Sequence, residues 1–193
     1  MKTKYFTILF LLLIIGCTNK KTQDRNTKTN QESEIEVVEN QTLEIKKKKE
    51  FLSESIRIDG DSIVIPEFEI EVQLSNKAEA KIERDKESII VQAYFSGIPK
   101  DTLNEDYEKW GKVHIGSEKK ELWNSNVAEF RNVKISKTAY EELSDLNFEV
   151  LINVFTGKHS STSNLLDCEI LQEGINEVKG KRHQLKGKLI YGE

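Results

Sequence analysis

Hydrophobic and polar residues alternate strictly along one short segment of this chain. In "EFEIEVQL" (67–74), Phe68, Ile70, Val72 and Leu74 alternate with three glutamates and a glutamine. Because successive side chains of a strand point to opposite faces, a period of two places the apolar side chains on one face. The pattern predicts a strand with one buried and one solvated face.

Short runs of β-branched and aromatic residues recur along the rest of the chain. They lie at 55–65, 88–97, 111–116, 127–136, 148–157, 165–171 and 182–192. In the first of them, Asp59 and Gly60 form a dipeptide that favours a tight hairpin turn. Many short strands between turn signals are typical of a β-sandwich. The predicted fold is mainly β: an antiparallel β-sandwich, immunoglobulin-like or transthyretin-like in architecture, a likeness that identifies no family.

Two segments between these strands have helical character. Asn76 with Glu79, and Thr138 with Glu141, have the spacing of a capping box, in which a side-chain oxygen and a carboxylate satisfy backbone N–H groups. We therefore expect one or two short helices, over 76–87 and 138–146.

The N-terminus carries the longest apolar run. Residues 5–15 follow Lys2 and Lys4, and eleven helical residues would cover about 17 Å of a hydrocarbon layer about 30 Å thick. A basic start, a short apolar run and small Gly16 are typical of a cleaved signal peptide, predicted to be residues 1–16.

The end of this run, Ile14, Ile15, Gly16 and Cys17, resembles the lipobox of bacterial lipoproteins. The resemblance covers residues 1–17 and implies that diacylglycerol is attached to the Cys17 thiol, that cleavage precedes Cys17, and that the new amino group is acylated. Two or three acyl chains, at about 0.8 kcal/mol per buried CH₂, would anchor the protein permanently. An ordinary signal peptide with an incidental cysteine and an uncleaved anchor are the alternatives.

The same resemblance implies a location. An aspartate after the cysteine tends to retain lipoproteins at the inner membrane, and Thr18 stands there instead. Acidic residues in that region direct some lipoproteins to the exterior, whereas this chain has Lys20 and Lys21. We expect an outer-membrane anchor with the protein facing the periplasm.

Composition divides the mature chain into a tether and one domain. Residues 18–50 contain no aromatic residue and many charges. They can bury too little apolar surface to offset the conformational entropy lost on ordering. Together with Cys17 they are therefore predicted to form a flexible polar stalk (17–50). Residues 51–193 suffice for one domain with its own core. Removal of Lys2 and Lys4 changes the formal net charge from −4 to −6, which disfavours nucleic acid as a partner.

Residues with catalytic or metal-binding potential are scattered. His114, His159 and His183 lie in separate segments without metal-ligand spacing, and no phosphate loop or nucleophile motif occurs. "DGD" at 59–61 is interpreted as a turn rather than a calcium site. Cys168 is two positions from both Leu166 and Ile170, so in a strand the three side chains would share one face. It is predicted to face a core as an inert thiol. We therefore expect no catalytic residue, no cofactor and no metal.

Three features suggest binding. The polar loop 156–164 contains Lys158, His159, Ser160, Ser161 and Thr162, which either contact a polar ligand or only connect two strands. Trp110 and Trp123 either complete the core or form an exposed aromatic platform suited to glycan or peptide. A C-terminal basic stripe either pairs with the glutamates of 67–71 or docks an anionic partner; its members are Lys179, Lys181, Arg182, Lys186 and Lys188.

The leading functional hypothesis is a non-catalytic, lipid-anchored envelope lipoprotein that presents a β-sandwich to a protein partner, or to a glycan. One alternative is an inhibitor or immunity lipoprotein that occludes an enzyme or toxin. Another is a metal-dependent hydrolase, which requires two histidines to converge beside a carboxylate.

Overall fold

The computed structural model describes residues 56–192, which form eleven strands and four helices. The predicted signal peptide (1–16), the lipidated Cys17 and the stalk (17–50) lie outside the described residues and stay predictions. The strands are β1 Arg57–Asp59, β2 Ser62–Val64, β3 Phe68–Leu74, β4 Ile89–Gly97, β5 Val113–Leu122, β6 Val127–Phe130, β7 Lys134–Ser136, β8 Glu149–Thr156, β9 Leu166–Cys168, β10 Leu171–Gly174 and β11 Arg182–Leu189. The helices are α1 Asn76–Asp85, α2 Glu105–Trp110, α3 Lys137–Glu141 and α4 Ile175–Val178.

Within residues 56–192 these strands form three sheets. Two sheets have four strands, in the orders β10-β8-β4-β5 and β6-β3-β11-β9, and the third has the order β1-β2-β7. Strand pairs in this part of the chain are antiparallel except β3 with β11, which run parallel. The mainly β fold with antiparallel sheets is confirmed, and the parallel pair departs from the all-antiparallel prediction.

One hydrophobic core draws side chains from all three sheets. Phe68 of β3 stacks on Phe130 of β6 with ring centroids 4.7 Å apart, and Phe95 of β4 meets Phe148 edge to face at 6.1 Å. All four side chains are fully buried and belong to the same cluster. Such aromatic pairs stabilise a core beyond the area they bury.

The parallel pairing of β3 with β11 explains the charge pattern of both strands. Arg182 lies opposite Glu69 and donates to it at 2.7 Å, and Arg131 contacts Glu69 at 3.3 Å from the other side. Lys188 pairs with Asp167 at 3.7 Å. Of the predicted pairs between the basic stripe and the glutamates of 67–71, Arg182 with Glu69 is confirmed, whereas Lys188 pairs with a residue of β9 instead. Exposed pairs of this kind contribute under about 1 kcal/mol each.

The hairpin of β1 and β2 has its turn at the predicted dipeptide, Asp59-Gly60. Strands β1 and β2 pair with Asp59 opposite Ser62, and Gly60 takes the positive φ of 61° that the turn requires. Asp59 accepts a hydrogen bond from Lys134 Nζ at 2.7 Å, which lowers the pKa of its carboxyl. The turn interpretation of "DGD" is confirmed.

Both predicted helices form, but the capping boxes are wrong. Ser75 caps α1 by accepting from the Ala78 N–H at 3.2 Å, and Ser136 caps α3 by accepting from the Ala139 N–H at 3.3 Å. An alanine therefore stands where a capping box needs Glu or Gln. Helix α3 ends at Glu141, earlier than predicted, and the buried Leu143 that follows bridges to Pro99.

Helices α2 and α4 were not predicted, so the described residues exceed the expected one or two helices. They are short, with six and four residues, and so leave little periodicity to detect. Among residues 56–192 the structure has no helix of the length and hydropathy that crossing a bilayer would take.

Candidate functional site

The two tryptophans lie at opposite ends of strand β5. Trp110 ends α2, just before β5, and is 65% exposed; Trp123 follows β5 directly and is 52% exposed. A strand of ten residues separates them, which is about 30 Å at the usual rise of a strand. The core interpretation is thus wrong for both, and they do not form one shared platform.

A buried carboxylate lies under the loop at the Trp123 end. Glu87, between α1 and β4, is 2% exposed. Its Oε1 accepts from the backbone N–H of His159 at 3.0 Å and of Ser88 at 3.1 Å. Its Oε2 accepts from the backbone N–H and the hydroxyl of Ser160, both at 2.8 Å. A buried charge is tolerated only with such partners. Because three of these hydrogen bonds come from His159 and Ser160, Glu87 fixes the start of the loop 156–164.

These hydrogen bonds determine the ionisation of Glu87. Burial acts to raise the pKa of its carboxyl, but the donors from Ser160, His159 and Ser88 outweigh burial and lower the pKa from 4.5 to about 2. Hydrogen bonds to the charged form of a carboxyl favour that form. Glu87 is therefore an anion at every pH at which the protein is expected to function.

A second carboxylate connects the loop to strand β5. Glu121 Oε1 accepts from the hydroxyl of the buried Ser88 at 2.7 Å and lies 2.7 Å from His159 Nε2. Hydrogen bonds from Ser88 and from His159 lower the pKa of Glu121. The His159 ring also packs on Trp123, with ring centroids 4.7 Å apart and planes 40° apart. The loop thus holds the indole of Trp123 at the surface.

Serine, histidine and glutamate also occur together in hydrolase triads, but the order of contacts differs here. In a triad the imidazole lies between the hydroxyl and the carboxylate and accepts the hydroxyl proton. In this protein Glu121 is the shared partner, so the Ser88 hydroxyl donates to the carboxylate. Ser88 has no exposed surface. The cluster is arranged to position His159 and Trp123.

The far end of the loop is fixed by Asn164. Its Oδ1 accepts from the backbone N–H of buried Thr156 at 3.0 Å and of Leu166 at 3.1 Å, and its Nδ2 donates to the Leu166 carbonyl at 2.7 Å. A side-chain amide that bonds both flanking strands closes the loop. The loop 156–164 is thus held by hydrogen bonds at both ends.

The predicted loop residues differ in what they present. Lys158 is exposed and takes a positive φ of 64°, and Thr162 is exposed. The Ser160 hydroxyl is engaged by Glu87, and the Ser161 hydroxyl accepts from the Ser163 N–H at 3.2 Å. The structure brings His159 and Trp123 together, whereas Trp110 lies apart from them.

A groove of about 940 Å³ runs beside Trp123, between α1 and the turn that joins β5 to β6. Its lining includes the apolar side chains of Val72, Leu74, Ile82 and Ile89. This volume lies at the upper end of the range typical of small-ligand sites, about 300–1,000 Å³.

Polar side chains and Trp123 line the rest of the groove. Glu79, Glu83 and Lys86 come from α1 and its end, and Trp123 is followed by the exposed turn residues Asn124, Ser125 and Asn126. Gln73 contributes a further amide from β3. Polar residues thus outnumber apolar ones in the lining, and the groove combines an apolar floor with many hydrogen-bonding groups.

The remaining candidates occupy separate places. His114 lies on β5 near Tyr94, with ring centroids 6.3 Å apart, and His183 lies on β11 with a buried Nε2. Cys168 is a free cysteine packed against the core, as predicted, and burial raises the pKa of its thiol to about 11. Within residues 56–192 no group of three or more His, Cys, Asp or Glu side chains is placed to hold a metal ion.

No pattern in the sequence predicted a role for Glu87, Ser88, Glu121 or most of the groove. Glu87 and His159 are 72 positions apart, and no local pattern reports such a contact. One signal was available, since the polar pair Glu87-Ser88 directly precedes the apolar run of β4. A charged residue at the buried start of a strand indicates a partner elsewhere in the chain.

Comparison with known proteins finds no match for this chain among protein-family models, curated proteins or solved structures.

Proposed function

We propose that the protein is a non-catalytic, lipid-anchored binding protein of the bacterial cell envelope, which presents a β-sandwich domain to a partner as an adaptor or accessory subunit. The anchor is the lipidated Cys17, the tether is the stalk 17–50, and the location is the periplasmic side of the outer membrane. The residues of "IIGC" at 14–17 support the anchor.

Two features of the described residues support a sandwich. Each four-stranded sheet contributes side chains to the same core, such as Ile70 of β3 and Ile152 of β8, and packed sheets bury their inner faces in this way. The chain turns directly from β5, an edge of one sheet, into β6, an edge of the other. Immunoglobulin-like and transthyretin-like domains share this general architecture.

The observation that carries the binding function is Trp123. A large aromatic side chain at the surface forgoes the stabilisation of burial, and this one is held against His159 beside the groove. Fixed, exposed aromatic residues bind partners at low entropic cost because little freedom remains to be lost. We therefore assign the recognition site to the groove and Trp123.

The test is affinity capture of the full-length protein from detergent-solubilised membranes of the native host. Wild type is compared with Trp123→Ala, and Trp110→Ala is the matched control because it removes the other exposed indole. We expect a partner that is retained by wild type and by the control and lost with Trp123→Ala. Equal capture by all three proteins, or a turnover activity abolished by His159→Ala, contradicts the proposal.

The anchor is tested separately. Mass spectrometry of the N-terminal peptide of the membrane-extracted protein is expected to show Cys17 carrying diacylglycerol and an amide-linked acyl chain, and Cys17→Ser is expected to abolish this processing. An unmodified Cys17 thiol in the mature chain contradicts the lipoprotein part of the proposal.

A second candidate function, an inhibitor or immunity lipoprotein, is favoured by the region 98–112 between β4 and β5. Ile98, Leu103 and Trp110 are exposed there, and the first turn of α2 carries Glu105 and Asp106. An exposed apolar surface beside carboxylates suits a basic enzyme or toxin. In the capture experiment this candidate predicts the reverse result: the partner is a hydrolase or toxin that Trp110→Ala loses and Trp123→Ala retains.

A further inference from the structure

The lining of the groove beside Trp123 is chemically complementary to a sugar, which offers C–H faces and a rim of hydroxyl groups. Its apolar lining includes Leu74 and Ile82, and its polar lining includes Gln73, Glu83 and Asn124. Amides both donate and accept hydrogen bonds and carboxylates accept them, so together they can satisfy hydroxyl groups in either role. A purely apolar ligand would leave these polar groups unpaired, which is costly once water is excluded.

Trp123 supplies the aromatic surface that such a ligand needs. An indole presents a broad apolar face and a single N–H donor, so it can pack on the C–H face of a pyranose ring without requiring matched charges. The His159 ring, itself bonded to Glu121, packs on the indole. The stacking surface is thus formed before the ligand arrives, which lowers the entropic cost of binding.

The charge of the lining restricts which sugars the groove can bind. Glu79 and Glu83 face the groove with Lys86, and Glu87 is an anion bonded within the fold. The formal charge is therefore negative, and like charges disfavour an anionic ligand. Uncharged sugars meet no such penalty.

The neighbouring strand does not favour an extended peptide. Strand β5 is the edge of its sheet, where peptides add by β-augmentation. Yet Lys120 reaches the buried Phe130 ring at 6.0 Å and pairs with Glu118 at 2.7 Å. Inward-facing charges of this kind protect an edge from added strands.

We propose that the groove binds an uncharged oligosaccharide, one pyranose ring of which stacks on Trp123 while hydroxyl groups bond to Gln73, Glu83 and Asn124. This inference rests on the proposed binding function and names the class of ligand for the same site. A lysine-rich peptide drawn by Glu79 and Glu83 is the competing occupant.

The test titrates the full-length protein, solubilised in a detergent without a sugar headgroup, with cellotriose, triacetylchitotriose, trigalacturonate and hexalysine. The chain has two tryptophans, so Trp110→Ala leaves Trp123 as the only indole and its fluorescence reports on the groove. We expect saturable binding of at least one neutral trisaccharide, and binding of trigalacturonate at least tenfold weaker. The double variant Glu79→Gln/Glu83→Gln is expected to reduce that discrimination.

Substitutions at the stacking position complete the design. Calorimetry is expected to show at least tenfold weaker binding of the neutral sugar for Trp123→Ala. The loss of affinity should be smaller for Trp123→Phe, which keeps an aromatic face and controls for misfolding of the alanine variant. Hexalysine binding that depends on Trp123, or neutral-sugar binding that survives in Trp123→Ala, overturns the proposal.

The outcomes separate this inference from the proposed function. If no neutral trisaccharide binds while membrane capture still yields a partner that depends on Trp123, the ligand class is wrong and the binding function stands. If neither a sugar nor a captured partner depends on Trp123, both are overturned.

Discussion

The two ends of strand β5 each carry an exposed tryptophan, but the surroundings differ. At one end, Trp123 lies on His159, which is held through Glu121 and through the Glu87 carboxylate beneath the loop. At the other, Trp110 ends α2, none of whose described residues is buried, and contacts the adjacent Lys109 at 4.9 Å. Exposure alone therefore does not distinguish the two tryptophans, whereas the fixed position of Trp123 beside a groove does.

The difference has an energetic origin. The Trp123 end depends on a carboxylate that is 2% exposed, and hydrogen bonds to a charged group contribute about 1.5–3 kcal/mol each to stability. Helix α2 is capped by Asn104, which accepts from the Asp106 N–H at 2.9 Å, and a cap contributes about 1 kcal/mol.

The largest expected effect is that of Glu87→Gln. At pH 7 it should lower the free energy of unfolding by on the order of 3 kcal/mol, because the pKa falls from 4.5 to about 2 on folding and each unit corresponds to about 1.4 kcal/mol. Chemical denaturation measures the loss, and hydrogen exchange should show faster exchange at His159 and Ser160. An unchanged midpoint would mean that the loop does not depend on Glu87.

The same pair of proteins tests the pH dependence. A carboxyl whose pKa is depressed by folding stabilises the folded state above its ordinary pKa and loses that effect as the pH falls through the folded value. The stability gap between wild type and Glu87→Gln should therefore be complete above pH 4.5 and shrink between pH 4.5 and about 2. A gap that stays constant over this range would contradict the assigned charge state.

Gly157→Ala should have the next largest effect. An added Cβ would lie 2.0 Å from Ser88 Oγ and 2.9 Å from His159 Cδ2, and overpacking of this kind costs about 1–3 kcal/mol. Gly111→Ala, at the end of α2, is the matched control: its Cβ meets nothing within 4 Å, but its φ is +70°, which costs about 1–2 kcal/mol for a residue with a side chain. With both changes made in the Trp110→Ala background, where Trp123 is the only indole, we expect altered fluorescence only in Gly157→Ala; the same change in both variants would refute the steric explanation.

His159→Ala is expected to lower the free energy of unfolding by about 1 kcal/mol, since the bond to Glu121 and the contact with Trp123 are lost. His114→Ala, on β5 beside Tyr94, should change the free energy of unfolding by less than about 0.5 kcal/mol. Thermal unfolding at pH 7 measures both. Equal losses would show that the contacts of His159 add nothing to stability.

The smallest expected effect is that of Trp110→Ala. Despite the size of the side chain, removal should change the free energy of unfolding by less than about 0.5 kcal/mol, because the indole is 65% exposed. Denaturant titration followed by far-UV circular dichroism measures it without relying on tryptophan emission. A loss above about 1 kcal/mol would indicate that α2 is packed more firmly than its exposure implies, and would weaken the contrast between the two ends.

Local rules account for most of the secondary structure. The period-two pattern of 67–74 gave β3 within one residue of its observed bounds, and Asp59-Gly60 gave the hairpin of β1 and β2. These features depend on side-chain alternation and backbone freedom, which act between residues that are close along the chain. Helix starts were less well located, because Ser75 and Ser136, rather than the boxes at 76 and 138, provide the caps.

The sequence by itself thus determined that the chain from residue 56 onward is mainly β, with a tight hairpin first and a core built from alternating residues. It also contained the charge complementarity of β3 and β11, but not their adjacency or parallel direction. Only the tertiary structure decided that Glu87 lies beneath His159 and Ser160, and that Trp123 borders a groove while Trp110 does not. The physical reason is that burial of a charge is balanced by donors some 70 positions away, and contacts over such distances are set by how the sheets pack rather than by any local pattern.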